Sequence, residues 1–144
     1  MPNQTGEILA DICEVLHGTG LFAGVTLGPD RDAARWPRAE VMFLSVDQVL
    51  ADDSHGGHWF TLKARAHVYA RSAEEGSTLQ RALELANAAQ SALLIDRFRN
   101  QRCRDLPVGS ATDLGPVRVD PPLRPPHVAL AFEIRCHFES EGDA

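Results

Sequence analysis

No apolar run in this 144-residue chain approaches the roughly 18–20 residues that a membrane-spanning helix needs, so the sequence offers no candidate span. Cysteine is scarce. Cys13, Cys103 and Cys136 are odd in number and far apart, which excludes a disulfide framework and a zinc-site spacing. Buried free thiols are the expected state. Residues 1–8 lack the charged-then-apolar plan of a signal peptide, so the expected compartment is the cytoplasm. Lysine is almost missing: Lys63 is the single one among 14 basic residues. Arginine replaces it along the whole chain, which reads as coding-sequence composition rather than as a site. Base is outnumbered by acid, 14 against 20, for a net charge of −6. That balance argues against a surface that grips nucleic acid over its whole extent. A Gly-rich phosphate loop is also lacking, because Gly18-Thr19-Gly20 follows a helical pattern instead of opening one.

What is present suits an ordinary folded domain. Apolar residues make up 44% and charged residues 24%. A chain of this length buries enough surface to fold as one domain, residues 1–144, without a metal or disulfide staple. Residues 7–17 carry Ile8, Leu9, Ile12, Val15 and Leu16 at helical spacing, with Thr5 as the expected N-cap and Gly18 and Gly20 as the stop. Leu21 to Leu27 reads as a strand closed by Gly28-Pro29-Asp30. Residues 30–38 read as a charged loop, Val41 to Val49 as a second strand, and 51–58 as a polar turn.

The clearest signal lies in residues 59–71. Phe60, Leu62, Ala64, Ala66, Val68 and Ala70 alternate with Thr61, Lys63, Arg65, His67, Tyr69 and Arg71, which is a strand with one apolar face. Residues 72–98 read as the main helix, with capping-box spacing at Ser72/Glu75 and Ser77/Gln80 and a regular start near Thr78. Its expected core stripe is Leu79, Ala82, Leu83, Ala86, Ala89, Ala92 and Leu93. Residues 99–127 hold most of the prolines, with 117–119 as a short edge strand. The last strand again alternates. Val128, Leu130, Phe132, Ile134, Cys136 and Phe138 face one way, and Ala129, Ala131, Glu133, Arg135, His137 and Glu139 the other. The acidic tail 140–144 reads as frayed. The element order α-β-β-β-α-β-β predicts an α+β two-layer sandwich: a mainly antiparallel sheet of four to five strands, with both helices on one face.

The chemical candidates are few. His55 and His58, with Asp52 and Asp53 before them, form the one cluster with metal-ligand chemistry, but the Gly56-Gly57 turn lacks a distant third ligand. The expectation is a turn that holds no metal. His67 and His137 lie on polar strand faces. If those strands are neighbours, the two could meet with Arg65 and Glu133 in an acid–base patch, or line a solvated or subunit-facing surface. Cys103 lies between Arg102 and Arg104, which lowers a thiol pKa when the group is reachable; the plainer reading is a loop thiol. Arg97, Arg99, Arg102 and Arg104 read as a solvated helix end complementing the dipole, with a phosphate or subunit contact as alternatives. No catalytic constellation emerges.

With this order in hand, the chain resembles the tail terminator or tail-completion proteins of long-tailed bacteriophages and related tailed particles. The resemblance runs through "FAGVTLGPD", "WPRAEVMF", "WFTLKARAHVYAR", an Ala/Leu helix and "HVALAFEIRCHFE", and covers roughly residues 7–139. It implies a structural role without turnover or cofactor. Such proteins form a ring, usually a hexamer, on the head-proximal end of the tail tube and meet the tube protein and a neck or head-completion protein. The implied location is a virion or tailed particle assembled in the host cytoplasm. The alternatives are a neck or head-completion adaptor, a small cytoplasmic hydrolase using His67, His137 or the His55/His58 turn, and a regulatory binding module using the Arg97–Arg104 patch. The expected contact residues, taken from this sequence's own polar faces, are Lys63, Arg65, His67, Tyr69, Arg71, Arg97, Arg99, Arg102, Arg104, Glu133, Arg135 and His137. An acidic balance suits a lumen that DNA crosses without sticking. The loops 28–38, 51–58 and 99–127 are left to reach neighbours.

Overall fold

In the computed structural model, residues 3–29, 35–50, 58–71, 75–105, 109–119 and 127–139 are described. The chain runs α1 (Gln4–Gly18), β1 (Gly24–Leu27), β2 (Arg38–Leu50), β3 (Trp59–Arg71), α2 (Glu75–Ile95), β4 (Thr112–Leu114), β5 (Arg118–Val119) and β6 (His127–Glu139). This is the expected α+β class and order, with one more short strand in the Pro-rich stretch. The sheet therefore has six strands rather than four or five, in the order β1-β2-β3-β6-β4, with β5 also paired to β6. β1 runs parallel to β2, and the other described pairings are antiparallel.

α1 starts earlier than the spacing predicts. Asn3, not Thr5, is the N-cap, and its side chain accepts a hydrogen bond from the Gly6 amide at 2.9 Å. Ile8, Leu9, Ile12 and Leu16 are buried, as the period demands. β1 is shorter than expected, because Leu21 to Ala23 precede the ladder. The capping residue proposed at Ser72, the acidic tail, the loop 30–34 and the turn 51–57 lie outside the described residues.

The β3–β6 register explains the alternation in both strands. Leu62 faces Cys136, Ala64 faces Ile134, Ala66 faces Phe132, Val68 faces Leu130 and Ala70 faces Val128. Small residues of β3 thus lie beside large residues of β6, and β2 adds Val41 on the other side of Ala66. Both helices share the same core with this face. The part of α2 above it is also small: Ala82, Ala86 and Ala89 are buried, along with Leu85 and Leu93.

The α2 stripe differs from the expected one in one respect. Leu79 and Leu83 are more than 40% exposed, and Leu85 takes the core position. The helix turns its alanine row, with Leu85 and Leu93, into the core. Since Ala66 and Ala86 are fully buried, added methylenes have no void to enter. Ala66→Leu or Ala86→Leu is expected to lower stability by roughly 1–3 kcal/mol. Urea unfolding followed by circular dichroism measures this, and an unchanged midpoint would show the packed face to be misassigned.

Candidate functional site

The sheet face opposite the helices collects most of the polar candidates, because antiparallel partners point to the same side. On β3 these are Thr61, Lys63, Arg65, His67, Tyr69 and Arg71. Their β6 partners are His137, Arg135, Glu133, Ala131, Ala129 and His127. β2 contributes Arg38, Glu40 and Met42 opposite Tyr69, His67 and Arg65.

The strands of His67 and His137 are indeed neighbours, but the register separates the two rings. His67 lies opposite Ala131 and His137 opposite Thr61. Six residues of strand put about 20 Å between them. The acid–base patch, one of the two readings of these histidines, does not form, which leaves the solvated or subunit-facing surface. Arg65 and Glu133 do meet, at 3.8 Å. Lys63 reaches Asp47 at 4.0 Å. The opposite charges expected to join two subunits are thus partly paired within one chain. Both pairs are exposed, and such pairs contribute little to stability.

His137 instead sits in a buried polar chain. Thr61 Oγ1 lies 2.8 Å from His137 Nδ1, and Asp113 Oδ2 lies 3.3 Å from His137 Nε2. β4 carries Asp113 to this position. Gly109 closes over it: a Cβ there would stand 2.8 Å from Asp113 Oδ2 and 3.0 Å from His137 Nε2. The three groups have the residue types of a nucleophile–base–acid relay. Thr61, however, is only 6% exposed, and the described clefts are lined by other residues. The arrangement ties β3, β6 and β4 together. His137→Ala strands the Thr61 hydroxyl and the Asp113 carboxylate and is expected to cost roughly 1–3 kcal/mol in urea unfolding. No change in the midpoint would show that the chain bears no load.

The other end of this face is aromatic and basic. The Arg38 guanidinium lies 4.4 Å from the Trp36 ring centroid and 4.3 Å from that of Tyr69. Arg71 lies over Trp36 at 5.4 Å, and the Tyr69 hydroxyl donates to Glu40 Oε1 at 2.9 Å. His67 stacks beside Tyr69, with 6.1 Å between centroids. The sequence singled out Tyr69, His67 and Arg71. It missed Arg38, Trp36 and Glu40, which it assigned to a loop and to the approach of the second strand.

The arginine cluster is not an outward patch. Arg99 is fully buried. It pairs with Asp11 at 3.3 Å, and its guanidinium donates to the carbonyls of Leu93 and Asp96. It thus serves the C-terminal end of α2, as the dipole reading required, but from inside the core. Residues 99–101 all adopt left-handed backbone, with φ of 49°, 56° and 68°. The Asp96 carboxylate holds this turn through the amides of Phe98 and Asn100 at 3.1 and 2.7 Å. Arg102 reaches Glu7 at 3.8 Å, Arg104 reaches Glu139 at 3.5 Å, and Arg97 reaches Ser110 Oγ at 3.3 Å. Of the four, Arg104 alone is exposed. Arg135 is exposed on β6.

Cys103 lies in the loop after α2, as expected, and is a buried free thiol, which corrects only the notion of an activated one. Its hydrogen bond with Cys136, together with burial, pushes its pKa up rather than down. Burial pushes the Cys13 thiol up to about 11. His58 meets Gln48 Nε2 at 3.3 Å through Nδ1, while His55, Asp52 and Asp53 lie outside the described residues. Among the described residues no group of three or more His, Cys, Asp or Glu side chains is arranged to hold a metal ion.

No protein-family model and no curated protein matches the sequence. Among solved structures, the fold is similar to a chain of the virion of a native gene transfer agent particle. The TM-score is 0.53 at 16% identity, over 97% of this chain and 100% of that one.

Proposed function

We propose that this chain is a structural protein of a tailed particle, and within that class a tail terminator that forms a ring on the head-proximal end of the tail tube. The observation that carries the reading is the end-to-end likeness to a gene transfer agent virion chain. The match runs over 97% of this chain and 100% of the other, so it relates whole folds rather than a shared fragment. The polar face, with Arg135 exposed on β6 between β3 and β4 and Arg104 exposed beside Glu139, supports a contact surface of polar character. The net charge of −6 suits a lumen that passes DNA. The register keeps His67 and His137 apart, which removes the paired-histidine form of the hydrolase alternative.

Deletion of the gene in a particle-producing host tests this. Tails of uncontrolled length that fail to join heads are the expected result for a terminator. Headless tails of normal length would instead favour the neck adaptor. Normal, joined and infectious or DNA-delivering particles would overturn both.

A further inference from the structure

The edge of the sheet beyond β1 is built for strand addition. β1 pairs with β2 only from Arg38 to Val41, whereas β2 runs on to Leu50. The ladder stops where the Gly28 amide donates to the Val41 carbonyl at 2.8 Å. Gly28 has a φ of +90°, a conformation open to glycine, and it ends the β1 line there. Among the described residues, no strand pairs with β2 on that side from 42 to 50. An unpaired run of N–H and C=O groups is a template for another strand.

Two bulges shape this edge. The β2–β3 register skips Leu44 and Val49, so each is an extra residue with no partner on β3. A bulge re-aims its side chain. Here the re-aimed side chains are apolar and exposed, Leu44 by 40% and Val49 by 38%. Beside the point where β1 ends, Leu9, Leu27 and Phe43 floor a groove of about 400 Å³ walled by Asn3, Thr5 and Gly6. Backbone groups, two apolar side chains and an apolar groove thus converge on an extended segment as occupant.

The opposite edge of the same sheet has the matching character. β4 and β5 lie in line along β6, spanning residues 112–119, close in length to the open run on β2. Their outer side has no strand partner among the described residues. Arg118 and Val119 are both exposed, Val119 by 64%. Val119 complements the Leu44/Val49 pair on the β2 edge, and Arg118 complements the exposed Asp47, which it would share with Lys63. We propose that the β2 edge of one copy receives the β4–β5 edge of a second copy. The contact is head-to-tail, so repetition closes a ring when the rotation permits. This rests on the ring reading above and assigns its subunit joint.

The test uses the full chain carrying Cys13→Ser, so that the remaining native thiols, Cys103 and Cys136, are buried. Val49→Cys protein is mixed with Val119→Cys protein at a concentration where mass photometry detects rings, and oxidised with copper phenanthroline. The expected result is a disulfide-linked dimer in the mixture, absent from either variant alone, and a ladder up to the ring number in the Val49→Cys/Val119→Cys double variant. Leu44→Glu/Val49→Glu should raise the concentration needed for rings by at least about tenfold. Rings that form normally in the Glu variant, with no cross-link in the mixture, overturn this joint while leaving the ring reading intact. Cross-linking of Val49→Cys protein to itself also overturns it, because the edges then pair head-to-head. Protein that stays monomeric in solution and in isolated particles removes the ring reading and this joint with it.

Discussion

Arg99→Met is expected to destabilise the protein by roughly 3–5 kcal/mol at pH 7, the cost of breaking a buried pair and leaving its partner charged. Arg99 is fully buried and holds three things at once: the Asp11 carboxylate, the Leu93 carbonyl and the Asp96 carbonyl. Methionine keeps the length of the stem but none of the donors. The last carbonyls of α2 and the three left-handed residues that follow lose their anchor together.

The loss is also expected to depend on pH. Burial already raises the Asp11 pKa above its ordinary 3.8, against the attraction of Arg99 and Arg102. The folded state therefore holds the Asp11 proton more tightly than the unfolded state. This group makes the native protein lose stability as pH rises from 3.8 through the raised value. Removing Arg99 removes the larger attraction and moves the folded value higher. The penalty of Arg99→Met should then be full at pH 7 and smaller near pH 4, where Asp11 enters the variant's core neutral. Urea unfolding at the two pH values measures both. A loss below about 1 kcal/mol, or one equal at both pH values, would show that the pair carries no buried charge.

Phe132→Ala is the second large effect, at roughly 3–5 kcal/mol. Phe132 is 2% exposed and lies directly across from the fully buried Ala66. Its ring fills the space that the small β3 residue leaves, so truncation opens a cavity walled by two central strands. The two sites share one volume, and their effects should not add. Ala66→Leu alone overpacks, yet in the Phe132→Ala background it refills the cavity. The double variant is expected to be more stable than Phe132→Ala alone. A double variant that loses the sum of both single effects would contradict the register.

Which parts of this were legible depends on how long each pattern ran. β3 and β6 were readable almost to the residue, because thirteen-residue alternations leave no other period. β4 was invisible: three residues, Thr112 to Leu114, carry no periodicity, and their place is set by the β6 edge they join. The Arg97–Arg104 run shows the opposite failure. Four charged residues read as surface, yet the left-handed turn after α2 rolls Arg99 inward, where Asp11 on α1 supplies a partner that lies distant in sequence. Leu83 and Leu85 were exchanged because an alanine row defines the close face of α2 more strongly than leucine does. The His137 chain needed the β3–β6 register and the β4 position together, and neither is written in any local motif. The β2 edge was hidden for the same reason, since bulges at Leu44 and Val49 are visible only against a partner strand.

The most direct measurement is an electron cryo-microscopy reconstruction of the assembled particle, with this chain identified by fitting its sheet and two helices into the density. The account predicts a closed ring of copies, most simply six, at the head-proximal end of the tail tube, with the β2 edge of each copy against the β4–β5 edge of the next. A particle that lacks this chain, or that holds it as an isolated single copy, would contradict it.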